Sequence, residues 1–69
     1  MPSYSAIVER CPEAGLLVAH VPGFAGAHTQ AAYMSELQDN LREVIALLLE
    51  EGEPTLSSEL VGVVQVKVE

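Results

Sequence analysis

A single amphipathic helix pattern constrains this chain more than any other feature. Between residues 34 and 51, Met34, Leu37, Leu41, Val44, Ile45 and Leu48 recur at spacings of three and four, with one adjacent pair. That spacing gathers them on one helix face. Glu36, Gln38, Asp39, Arg42, Glu43 and Glu50 fall mostly elsewhere. Gly52 stands where a left-handed C-cap is needed, and Pro54 prevents continuation. An apolar helix face must be buried against another layer, and here the rest of the sequence reads as β-structure.

Residues 3–11 read as a first strand, with Tyr4, Ile7 and Val8 as strand formers. Pro12-Glu13-Ala14-Gly15 is a turn, in which proline presets φ and glycine accepts a positive φ. Residues 16–21 form a second strand, so 3–21 is a hairpin. Pro22-Gly23 suits a type II turn. Residues 24–31 are a weaker third strand, in which Gly26 marks a bulge or a close backbone approach. After a polar link at 55–59, Val64, Val66 and Val68 alternate with Gln65, Lys67 and Glu69, which predicts a last strand over 60–69.

The expected fold is α+β, a β-β-β-α-β two-layer sandwich. Three strands form an antiparallel meander. A right-handed crossover through the helix brings a fourth strand parallel to the first. Residues 1–69 read as one domain with the helix on one sheet face. No segment of the chain covers the other face, where Leu16 or Val18 would be exposed.

Size sharpens that point. A domain near 60 residues buries only about 60% of the surface its unfolded chain exposes. Small domains compensate with disulfides, a metal or a partner. Cys11 is the lone cysteine, and Cys11, His20 and His28 are scattered and too few for a zinc site. Association is left, so a homodimer or higher homo-oligomer is expected through the uncovered face or an edge strand.

Ten acids against three bases give a formal net charge of −7. Such a surface repels phosphate, so no direct nucleic-acid binding is expected. The charge favours a basic partner, or simply keeps a small domain soluble. No run of 18 apolar residues is present, so no membrane span is expected. Met1-Pro2-Ser3-Tyr4-Ser5 lacks the basic and apolar regions of a secretory signal. A lone cysteine fits a reducing compartment, and the expected location is cytoplasmic.

Chemistry is sparse. His20, His28, Cys11 and Glu9 fall in no metal-binding or nucleophile motif. Arg10 beside Cys11 would favour the thiolate, but no ordered base is apparent. The glycines form neither a G-x-G-x-x-G nor a P-loop. Glu9, Glu36, Asp39 and Glu43 would make a divalent-metal nuclease site if they converged, as acids do in the RNase H-like fold. The helix acids fall on the solvated face, however, and the last strand supplies only the terminal Glu69. The expectation is a protein without enzymatic activity, cofactor or metal.

The order and spacing of segments resemble the HicB-type antitoxin family in its N-terminal domain. The carrying residues are Tyr4-Ser5-Ala6-Ile7-Val8-Glu9, Gly15 through Gly23, and Gly26-Ala27-His28-Thr29-Gln30-Ala31. The helix follows, ending in Glu50-Glu51-Gly52-Glu53-Pro54. The likeness spans roughly residues 3–68, and its specificity lies in order rather than in one motif. It implies a partial RNase H-like fold without catalytic acids, homo-oligomers, and an antitoxin of a type II toxin-antitoxin system. Such an antitoxin binds and neutralises a small basic mRNA-cleaving toxin (HicA-like) with a double-stranded-RNA-binding-like fold and a catalytic histidine. On that reading Glu9, Glu36, Asp39, Glu43, Glu50 and Glu51 face the toxin in part. Two departures are visible. Tyr33 and Met34 stand where the family has a Thr or Ser cap, so Ser35 is expected to cap the helix a turn later. The C-terminal DNA-binding domain of many such antitoxins is not found in these 69 residues. The alternative is a solitary oligomeric domain of the same fold that binds a small ligand or another protein.

Overall fold

The computed structural model describes residues 3–69. It contains β1 (Ile7–Arg10), β2 (Leu17–His20), β3 (His28–Ala31) and α1 (Met34–Leu49), in that order. The sheet runs β1-β2-β3, antiparallel throughout. The expected meander and helix are therefore present, each strand shorter at its ends than the sequence pattern suggests.

Turn chemistry accounts for the trimming. In the first hairpin, the Cys11 N–H donates to the Leu16 carbonyl at 2.8 Å and the Gly15 N–H to the Cys11 carbonyl at 2.7 Å. Gly15 closes the loop at φ +72°. After β2, the Phe24 N–H donates to the Val21 carbonyl, which makes Val21-Pro22-Gly23-Phe24 one turn with Gly23 at φ +77°. The Ala27 N–H then donates to the Phe24 carbonyl, making a second turn with Gly26 at φ +85°. Residues 24–27, expected to open the third strand, are spent on that second turn. Gly26 approaches a helix side chain, since a Cβ there would sit 3.5 Å from Leu48 Cδ2.

Residues directly opposite in a sheet share a face. Ala31 and Arg10 flank Leu17, and Thr29 and Val8 flank Ala19, on the helix side. Leu37 packs into the cluster of Leu17, Ala19 and Ala31, with Leu41 against its margin. Leu37 is the only buried residue of the helix. The helix lies over β3 and β2 and does not reach β1, so Val8 stays exposed on the helix side. Tyr33 caps the helix without a side-chain hydrogen bond, and the Leu37 N–H donates to its carbonyl at 2.9 Å. The helix thus starts at Met34, and the later start capped by Ser35 is not what forms. Gly52 takes φ +117° and its N–H donates to the Leu49 carbonyl, as expected of a terminating glycine.

The fourth strand is a correction. No residue from 60 to 69 pairs with β1 or any other described strand. The returning chain is held instead at the Pro22-Gly23 turn, where the Ser57 N–H donates to the Gly23 carbonyl at 3.1 Å. A side chain on Gly23 would overlap the Ser58 backbone. Beyond that contact the segment projects from the body. The Cα radius of gyration is 13.5 Å, against about 11 Å for a compact chain of this length. Alternating valines set the pleat of a strand, but a strand also needs a partner for its N–H and C=O groups, and alternation does not name that partner. The architecture is β-β-β-α followed by an extended segment.

Leu37→Ala should cost about 2–5 kcal/mol. It should appear as a lower urea midpoint with an unchanged slope. A loss below about 1 kcal/mol would mean that Leu37 does not clamp the helix to the sheet.

Candidate functional site

The helix supports the clearest site. Glu36, Glu43 and Glu50 recur every seven residues, a spacing that drifts only about 20° around a helix per step. Asp39 lies three residues from Glu36 and four from Glu43, on the same side. The four carboxylates form one exposed stripe of about 21 Å, opposite the face that carries Leu37 and Leu41. Glu51 is exposed beside its C-terminal end. Among the described residues only Asp39 meets a cation: the Arg42 guanidinium lies 3.3 Å from its carboxylate, with both side chains mostly in water. Such an exposed pair contributes little to stability. The other two bases are elsewhere, Arg10 donating to the Gly15 carbonyl at 3.1 Å and Lys67 on the projecting segment.

Glu9 does not join the stripe. It stands opposite Val18, on the sheet face turned away from the helix. The six acids expected to meet a partner thus divide into five at one helix face and its end, and one on the far side of the sheet. The same division keeps Glu9 away from Glu36, Asp39 and Glu43, so the nuclease-type convergence does not occur. Among the described residues no group of three His, Cys, Asp or Glu side chains could hold a metal ion.

Leu47 is the residue that sequence periodicity passes over. It is 64% exposed and lies outside the apolar face. It follows Glu43 by four residues and precedes Glu50 by three, so it borders the acidic stripe. Its mismatch with the apolar spacing was the available signal. Glu43, Glu50 and Glu51 stand within one turn of it, so a large exposed apolar side chain adjoins the like charges.

The histidines are brought together. His20 and His28 are directly opposite in the β2–β3 register, both exposed, beside a shallow depression lined by Phe24 and Ser57. Tyr4 packs on Phe24 in a tilted arrangement with ring centroids 5.5 Å apart, tying the start of the described chain to that turn. Cys11 lies at the other end of the sheet, next to Arg10 and the hairpin loop, and forms no cluster with the histidines.

The stripe works against the fold. Its acids repel one another, and Glu50 caps the C-terminal end of the helix, where negative charge opposes the dipole. Glu43→Gln with Glu50→Gln should therefore raise stability by a few tenths to about 1 kcal/mol at low salt, with the gain fading as salt rises. A loss of stability in thermal unfolding would assign these acids a structural role instead.

Three proteins of known family resemble the chain over most of its length. A UPF0150 protein of Thermotoga maritima is 37% identical over 67 residues, covering 96% of this chain and 89% of that protein. One from Synechocystis is 37% identical over 65 residues, covering 94% and 93%. One from Archaeoglobus fulgidus is 40% identical over 63 residues, covering 91% of each. No family profile matches the chain. No solved structure matches it either. At 37–40% identity over more than nine-tenths of its length, this chain belongs to the UPF0150 family.

Proposed function

We propose that this protein is a HicB-like antitoxin module, an interaction domain that binds and neutralises a small basic mRNA-cleaving toxin. The observation that carries the reading is the acidic stripe Glu36, Glu43 and Glu50, with no cation partner among the described residues and Leu47 at its border. It is the surface expected of a protein built to meet a basic one, since complementary charge speeds encounter and excludes wrong partners. The −7 net charge and the resemblance of the segments up to the helix to HicB-type antitoxins support the same reading. The domain acts by occupying the toxin's basic RNA-binding surface, so its own chemistry is not required. The reading assigns it no cofactor and a location with its toxin in the cytoplasm. Glu9, on the opposite sheet face, stands outside the binding surface.

The test is reconstitution with a basic toxin encoded beside it. The complex should form at low salt, abolish RNA cleavage and weaken as salt rises. Glu43→Lys with Glu50→Lys should reduce affinity at least about tenfold while circular dichroism stays unchanged. A folded charge-reversed variant that binds and protects RNA as the parent does would refute the stripe as the binding surface. Failure of any co-encoded basic protein to bind at low salt would refute the antitoxin reading itself.

A further inference from the structure

The projecting segment carries a second interaction surface, independent of the toxin reading. Val61, Val63, Val64, Val66 and Val68 are each 80–89% exposed. An extended valine-rich segment standing in water is an unsatisfied structure, because its side chains and backbone groups find no partners among the described residues. The same fold holds a matching vacancy. β1 is an edge strand, its outer side paired with no other strand among the described residues, and the helix leaves its apolar side uncovered at Val8.

We propose that residues 60–69 of one copy add as a strand to β1 of a second copy, in reciprocal exchange. Side-chain alternation supports this occupant. With Val66 and Val68 on the face of Val8, the apolar row through Thr29, Ala19 and Val8 gains one more position. Lys67 then falls on the opposite face, the face of Glu9, and a register that sets Lys67 beside Glu9 pairs a base with an acid. Donor strand and acceptor edge belong to the same sequence, so a two-fold axis satisfies both at once and leaves neither β1 edge open. The chain leaves the Gly23–Ser57 contact and does not return to its own β1, which leaves that edge for another copy.

Light scattering on the full chain should give twice the 7.4 kDa of one chain at tens of micromolar. Deleting residues 60–69, or Val64→Asp with Val66→Asp, should weaken self-association at least about tenfold. The site is read by mixing two proteins in a Cys11→Ser background, one with Glu9→Cys and one with Lys67→Cys. A disulfide between the two proteins is expected on oxidation. A monomer throughout, a dimer that survives the deletion, or Lys67→Cys chains linked mainly to one another would overturn the exchange.

Discussion

Everything in this molecule depends on one helix burying one leucine against two strands. Leu37 fills the space over Leu17, Ala19 and Ala31, and no other helix residue is as deeply buried. A helix is about 10 Å across, and strands are about 4.8 Å apart, so a helix seated over β2 and β3 leaves the third strand bare. The bare strand is β1. A chain with more helix would have covered it. This one ends its helix at Leu49, reverses through Gly52 and turns back to the Gly23 corner, where glycine lets two backbones meet. The small core and the open edge share one cause.

The surface follows a different logic from the core. Like charges repeat down one side of the helix and reach its negative end, at a cost to the isolated fold. Leu47 lies beside them without burial. Neither feature helps the domain stand alone. Both would become favourable under a basic surface, which is what the proposed toxin contact supplies. The distance of Glu9 from this face confines the proposed contact to the helix and its end.

Much of the architecture was legible in the amino-acid order because it is local. Pro22-Gly23 and the Pro12–Gly15 loop carry turn geometry in their own backbones, and the spacing from Leu37 to Leu48 carries a helix face. Tertiary choices were not legible. Residues 24–27 carry a strand-like composition, yet a second glycine turn takes them. Tyr33 begins the helix without a side-chain cap because Leu37 is fixed by packing, which outweighs a cap contribution of about 1 kcal/mol. The valines of 60–69 signal a strand, but the fourth parallel strand drawn from them does not form. Pairing is a relation between segments, and one segment's alternation contains half of it. For the candidate site, helix spacing already set Glu36, Asp39, Glu43 and Glu50 off the apolar face. Separating Glu9 from them required knowing which way β1 turns its side chains.

The central claim is that this domain is completed by other chains at surfaces its own core leaves open. Amide hydrogen exchange along the full chain, followed as concentration rises, tests it most directly. The account predicts that protection appears together in residues 64–68 and in β1, and grows with concentration, while the Leu37 core stays protected throughout. Exchange in 64–68 that remains as fast as in an unfolded peptide at every concentration would contradict it.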